Sequence, residues 1–324
     1  MNRRTSIDLL RIISAVAVIV IHVVSASVTS AHTSVEQSLL KNTELIHVLM
    51  NWSVPVFFMI TGYCLTLKQK CTYNYCLARA KNYICVLFTV GFFYALLEQL
   101  FGAQCIDATI FVTAFLNVIR GNLWDHMWFV YDIIGIYLVF PVIHKFAKDN
   151  EKEMSILTGI LFVFTILKPT FDPVFPIGFT IPFGGYLFYV CFGCLIAKCS
   201  ITKLHMYILE LLGVVSVVWI VIGLDNWSLE YNHLLVCMMA ICIFVRFSKI
   251  EMKETKIIRL LSACTWGIYL LHPFFINVIL KVLKVDIVSS YPYFTMTLFV
   301  IIVFVISFVA IYTLRKIPLI KRLF

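Results

Sequence analysis

Long apolar runs separated by short polar stretches fill the chain from end to end. Ten runs stand out, at about 7–29, 44–67, 78–101, 122–146, 154–169, 180–198, 205–223, 230–248, 257–283 and 292–315. Most reach the ~20 residues that a helix needs to cross about 30 Å of hydrocarbon. Backbone amides in lipid must bond within their own segment, so runs of this kind are helices. The pattern predicts an all-α integral membrane protein, a bundle of about ten transmembrane helices forming one membrane domain over 1–324. Pro55, Pro141, Pro182 and Pro273 fall inside runs, where neighbouring helices can re-satisfy the freed carbonyls. The fifth run is short and ends at "LKPTFDPVFP". The longest polar gaps lie around 29–43 and 102–121. The first run is expected to persist as a span, because it is too long for a cleavable leader and lacks a small-residue cleavage pattern.

Composition agrees with this pattern. Of 324 residues, 61% are hydrophobic and only 13% charged, and the mean hydropathy is +0.96. A soluble domain carries about 25% charged residues. The net charge of +9 would suit a nucleic-acid partner, but its distribution excludes that reading. Twenty of the 26 Lys and Arg residues occupy the N-terminus, the C-terminal tail and alternate loops between them. Five lie in the opposite set of loops, and Arg11 lies within the first run. The positive-inside rule then places both termini in the cytoplasm.

Cysteine chemistry adds little. The eleven cysteines are scattered, nearly all in or beside apolar runs, with Cys105 in a loop on the outer side. "CFGC", from Cys191 to Cys194, has metal-like spacing but sits within a span without a second pair, so both read as structural thiols. No metal site is expected. "NWS" at Asn51 and Asn226 carries little weight as a glycosylation signal.

Ionisable groups within the spans are the candidate chemistry, since each is costly in hydrocarbon. Arg11 and His22 lie eleven residues apart in "RIISAVAVIVIH". Eleven helical steps return to within about 20° of the starting face and rise about 16 Å. Asp8, three residues before Arg11, is near enough to pair with it. One face therefore offers an anion-binding group near the cytoplasm and a base deep in the membrane. Arg11 reads equally well as an interfacial arginine that snorkels; for His22 the lesser alternative is a polar bridge between helices.

Other spans hold further candidates. "HMWFVYDIIGIYLVFP" places His126 and Trp128 near the outer surface and Asp132 deeper, where a lone carboxylate needs a partner. Trp128, Tyr131 and Tyr137 read more simply as aromatic belt and packing. "SACTWGIYLLHPFF" places Tyr269 and His272 near mid-depth, just before Pro273. In "VPVFFMITGY", Thr61 and Gly62 let a ligand approach the backbone. Glu98 and Glu210, near span ends, are weaker candidates. There is no GxGxxG, GxxxxGK, GxSxG or HExxH. Any cofactor must bind among the helices or at their ends.

These pieces, in this order, resemble the acyltransferase-3 family of bacterial multi-pass membrane acyltransferases. The resemblance rests on Arg11-x10-His22, "VPVFFMITGY" at 54–63, "HMWFVYDIIGIYLVFP" at 126–141, "YLFYVCFGCLI" at 186–196 and "GIYLLHPFF" at 267–275. It implies a bacterial plasma-membrane enzyme. Such an enzyme moves an acyl group, usually acetyl, from cytoplasmic acyl-CoA to a hydroxyl of a cell-envelope glycan, lipid-linked sugar or related acceptor. By position, the essential histidine of the family falls on His22 and the donor-ordering arginine on Arg11. Asp132 and His272 are the remaining catalytic candidates, and Thr61 and Tyr269 join Arg11 at the donor. Thr61, Tyr131 and Tyr269 are candidates to stabilise an oxyanion. Many relatives have serine at the position of Thr61, and a basic residue where "NWS" (51–53) stands.

A permease or exporter for an amino acid or glycan is the alternative, because related membrane domains occur fused to amino-acid racemase domains. Inverted repeats or paired broken spans would favour transport, and the sequence has neither. The acceptor and the oligomeric state are not encoded in any feature of the spans.

The charge asymmetry makes a topological prediction. Reporter fusions or impermeant cysteine labelling at residue 2 and residue 322 should both report the cytoplasm. Opposite sides for the two ends would require an odd number of spans.

Overall fold

The computed structural model describes residues 4–29, 36–68, 71–102, 107–174, 185–223, 229–288, 291–318 and 320–323. Cys105, Pro182 and the second "NWS", at Asn226, lie outside the described residues. The elements are helices: α1 (Thr5–Thr29), α2 (Gln37–Met50), α3 (Ser53–Thr66), α4 (Tyr73–Val86), α5 (Phe92–Gly102), α6 (Ala108–Arg120) and α7 (Trp128–Asp149). They continue as α8 (Glu151–Phe162), α9 (Lys168–Phe171), α10 (Leu187–Lys198), α11 (Lys203–Ile222), α12 (Leu234–Lys249), α13 (Lys256–Asn277) and α14 (Pro292–Leu314). Short wide π turns at Leu87–Gly91 and Val163–Leu167 join α4 to α5 and α8 to α9. Among the described residues, eight helical segments are long and apolar enough to cross a membrane. The protein is a helical, multi-pass membrane protein.

Those eight segments coincide with eight of the ten expected runs. The runs at 180–198 and 230–248 contain shorter helices, α10 of 12 residues and α12 of 16. Residues 180–184 lie outside the described set. One expectation is corrected. The polar gap at 102–121 contains α6, whose start and stop are set by local chemistry. The Asp107 carboxylate caps its first turn by accepting from the Thr109 amide at 2.8 Å. Hydrogen bonds from Thr109 hold that carboxyl below the usual carboxylate range. Gly121, at φ 75°, ends the helix in the left-handed conformation that only glycine adopts freely.

Pro55 explains a second difference. Within the expected run 44–67 the chain breaks at Asn51 and Trp52, so that α2 and α3 are separate helices. Proline has no amide for the carbonyl four residues earlier, here that of Asn51, and its ring crowds that carbonyl. In the first turn of α3 the missing amide costs nothing.

The described residues divide into two compact units, Met1–Lys68 with Phe146–Tyr312 and Gln69–Lys145 with Thr313–Phe324. In the first unit, α3 is the central helix, packed against α1, α10 and α12. Its approach to α10 is set by two glycines. A Cβ on Gly62 would lie 2.0 Å from the Val190 carbonyl oxygen, and one on Gly193 would lie 2.1 Å from that of Met59. Neither helix therefore has room for a side chain at the crossing, the small-residue contact that membrane helices use. The Gly62 carbonyl also accepts from the Thr66 hydroxyl at 2.8 Å and the Cys194 thiol at 3.6 Å. Cys194 is thus a structural thiol at the crossing, as the sequence suggested. Arg4 closes the same region. Its guanidinium donates to the Ser248 carbonyl at the end of α12 and lies 5.8 Å from the Tyr63 ring centroid.

In the second unit, α5 packs on α6. Tyr94 stacks on Trp124 at 4.3 Å, and Tyr83 meets Tyr137 at 5.4 Å.

The crossing makes a stability prediction. Gly62→Ala and Gly193→Ala should each lower the thermal midpoint in detergent, because overpacking against backbone costs about 1–3 kcal/mol or more. Gly159→Ala, where a Cβ meets nothing within 4 Å, should leave it unchanged or slightly raised. Equal midpoints for all three variants would refute the crossing.

Candidate active site

Three helices of the first unit, α1, α3 and α13, bring the sequence candidates together at two levels. At the first level Arg11 is shared among all three. Its Nη1 donates to Asp8 Oδ1 at 3.1 Å and to Ser262 Oγ at 3.2 Å, and Nη2 donates to Cys64 Sγ at 3.8 Å. Ser262 in turn donates to Asp8 Oδ1 at 2.6 Å. The carboxylate, hydroxyl and guanidinium thus close a triangle between α1 and α13. The Asp8–Arg11 pair predicted from their spacing is present. The arginine is held by protein groups and does not reach out alone toward headgroups. A guanidinium has five N–H donors. Three are engaged here among the described residues, which leaves two for an anion. The Arg11 side chain keeps 29% of its surface, against 8% for Asp8.

At the second level, His22 of α1 meets His272 of α13 with ring centroids 5.1 Å apart, tilted by 53°. His272 is fully buried. Its Nδ1 lies 3.2 Å from the Ile268 carbonyl, and a carbonyl only accepts, so Nδ1 carries a proton and the tautomer is fixed. Tyr269 lies 6.0 Å from His272 and stacks on Trp266 at 5.8 Å. Phe57 of α3 meets Tyr269 edge-on at 6.5 Å. The next residue after His272, Pro273, lacks the amide that would bond the Tyr269 carbonyl.

The contact order fixes the helix directions. Arg11 pairs with Ser262 and His22 with His272, so α1 and α13 run parallel and keep register over about three turns. Cys64 touches Arg11 whereas Phe57 touches Tyr269, so α3 runs antiparallel to both.

Burial along α3 connects the two levels. Every residue from Ser53 to Thr66 is buried except Phe57, Thr61 and Cys64. Steps of four and three residues keep these three within about 60° of one another on a helix. The central helix of the unit therefore keeps surface along a single line. One end meets Arg11 through Cys64, and the other meets the Tyr269–His272–His22 rings through Phe57. Thr61, midway, donates its hydroxyl to the Phe57 carbonyl at 2.9 Å. As an oxyanion donor it would first have to break that bond.

Of the remaining sequence candidates, Glu210 pairs with Arg246 at 3.2 Å in the first unit, and the others lie in the second unit. Asp132 is half-buried on α7, without a hydrogen bond or ion pair among the described residues. The Tyr131 hydroxyl donates to the Val118 carbonyl, which ties α7 to α6. His126 is buried with its ring against Tyr94 at 5.5 Å.

Sequence reading missed Ser262, Cys64, Phe57 and Trp266. A signal for them existed in the spacing. Ser262, Trp266 and Tyr269 recur at the same steps of four and three as Phe57, Thr61 and Cys64. Apolar or neutral residues carry no flag inside an apolar run, so only their partners reveal them.

The triangle predicts a local stability cost. Asp8→Ala removes the acceptor of two side-chain donors, one of them charged, and should destabilise the protein by about 1–3 kcal/mol. Ser262→Ala, which leaves the ion pair intact, should cost less. A thermal midpoint measured for each variant in detergent checks the order, and a larger loss for Ser262→Ala would contradict it.

Neither a curated protein nor a solved structure matches the chain. The family model described as an acyltransferase domain matches residues 4–316, which include every helix of the site and nearly the whole chain. With its multiple membrane-crossing helices, the chain therefore belongs to the acyltransferase-3 family of membrane acyltransferases.

Proposed function

We propose that this protein transfers an acetyl group from cytoplasmic acetyl-CoA to a hydroxyl of a bacterial cell-envelope glycan or related acceptor, at the plasma membrane. The observation that carries this reading is the single line of accessible surface on α3, which leads from Arg11 to His22 and His272. A long, thin donor with phosphates at one end and a thioester at the other suits a line with a guanidinium at one end and imidazoles at the other.

In this reading the two free donors of Arg11 bind a CoA phosphate by charge-assisted hydrogen bonds. Asp8 and Ser262 hold the guanidinium in place, so little side-chain freedom is lost when the phosphate arrives. The pantetheine arm lies along Cys64 and Thr61. The thioester then reaches the level of His22. As the acceptor oxygen attacks the thioester carbonyl, His22 removes the hydroxyl proton. A tetrahedral oxyanion forms, the C–S bond breaks, and the CoA thiolate leaves with the proton returned from the imidazolium. The acceptor gains the acyl group as an ester, and CoA leaves as the thiol. His272, whose tautomer is set by Ile268, orients or shares that proton with its neighbour. Tyr269 is the donor nearest the rings for the oxyanion.

Purified protein in nanodiscs is expected to consume acetyl-CoA slowly by hydrolysis even without an acceptor. Loss of a general base costs about 10²–10⁴-fold, so His22→Ala should abolish measurable turnover. Arg11→Ala should raise the KM for acetyl-CoA more than it lowers kcat. Turnover by His22→Ala equal to the wild-type rate would defeat the assignment. A wild type that neither binds nor consumes acyl-CoA would send the same preparation to transport assays.

A further inference from the structure

The outer end of α1 carries a polar pair that takes no part in the steps above. Ser25 Oγ and His47 Nδ1 of α2 lie 2.9 Å apart, at hydrogen-bond distance, and both residues keep surface. Hydroxyls such as those of Thr61, Thr66 and Thr158 bond a carbonyl of their own helix one turn back. Ser25 instead meets an imidazole on another helix. In the tautomer with Nδ1 bare, the serine donates and the imidazole accepts, which is the polarity a base requires. Glu44, an exposed carboxylate, stands three residues before His47 on α2, on the neighbouring turn. A hydroxyl within reach of an imidazole, with a carboxylate beside the base, is the arrangement that activates a serine as a nucleophile.

Position on α1 ties this pair to the site. Ser25 follows His22 by three residues, a rise of about 4.5 Å toward the end of α1 that the charge asymmetry places outside. Arg11, His22 and Ser25 fall within about 60° of one another around the helix. A donor lying along this face from Arg11 past His22 therefore comes next to Ser25.

We infer that Ser25 is an acyl carrier, on whose oxygen the acetyl group pauses as an ester between CoA and the acceptor. The inference rests on the acyl-CoA reading given above and divides its transfer into two steps. In the first, Ser25 Oγ attacks the thioester carbonyl and gives its proton to His47 Nδ1. The C–S bond breaks, and His47 passes the proton to the departing CoA thiolate. In the second, the acceptor oxygen attacks the carbonyl of the Ser25 ester while His22 takes its proton. The bond from that carbonyl to Ser25 Oγ breaks, and His22 returns the proton to the serine oxygen. Serine and both imidazoles end as they began, and the products are CoA thiol and the acylated acceptor. Glu44 steadies the charge on His47 during the first step. CoA can then leave toward the cytoplasm before the acceptor arrives from outside.

The test is to trap the ester. Purified protein in nanodiscs is given acetyl-CoA labelled in the acetyl group, without acceptor, and the digested peptides are identified by mass. His22→Ala completes only the first step, so label should accumulate on the peptide that carries Ser25. Adding Ser25→Ala should remove it, and adding His47→Ala should slow its appearance about 10²–10⁴-fold, the worth of a general base. Ser25→Cys in the same background keeps a carrier but makes a thioester. Neutral hydroxylamine should release label from that cysteine and leave label on serine in place. If Ser25→Ala does not fold, the mapped peptide and the hydroxylamine response of Ser25→Cys decide. A wild type that consumes acetyl-CoA while His22→Ala stays unlabelled would overturn the carrier. So would folded Ser25→Ala, with His22 intact, turning over at the wild-type rate, or label found on a different residue. Absence of any acetyl-CoA consumption by wild type would instead remove the acyl-CoA reading itself, and the carrier with it.

Discussion

A guanidinium among membrane helices is costly unless its charge is paired and its donors are met, and α1 meets both demands by sharing Arg11 with α3 and α13. Asp8 supplies the opposite charge from the same helix, three residues away. Ser262 bridges both partners from α13, and Cys64 takes a further donor from α3. Removing any one of these leaves a polar atom of the cluster without its bond. The cluster therefore acts as a pin through three helices. Because it sits at one end of the line on α3, it also sets the depth at which a bound anion would stop.

The second constraint is the glycine crossing between α3 and α10. Gly62 and Gly193 each lie against the other helix's backbone, which seats α3 deep in its unit and buries all but three of its residues. A wider crossing would leave α3 accessible along several faces. The close one leaves a single line, so the path between Arg11 and His22 follows from the packing on the opposite side of the same helix.

Much of this was legible in the sequence, and the parts that were not share a physical cause. Apolar run length located the membrane helices, and helical periodicity put Arg11 and His22 on one face with Asp8 beside Arg11. Those are properties of one helix at a time. The break between α2 and α3 was written in Pro55, and α6 in Asp107 and Gly121, but both signals are local and were outweighed by the hydropathy of longer windows. The inner face of α3 was not legible. Phe57 and Cys64 are unremarkable inside an apolar run, and Ser262 is one of several serines; each acquires meaning only from a partner on another helix. His272 showed as a histidine in a span, but its pairing with His22 depends on α1 and α13 running parallel in register, which no sequence window contains.

That parallel register has a further consequence for how the two ends of the site relate. Arg11 to His22 spans eleven residues on α1, and Ser262 to His272 spans ten on α13, so the two helices rise by nearly equal amounts between the contacts, about 15–16 Å. Two rigid helices fastened to each other at both levels hold the distance from guanidinium to imidazole fixed. A tilt or slide that opened one contact would strain the other. A substrate that must touch both levels meets a preset spacing, which favours donors of matching length and removes much of the ordering cost of binding. The antiparallel α3, joined to one level by Cys64 and to the other by Phe57, is the third side of the same frame. The level of His22 is therefore coupled by geometry to the level of Arg11.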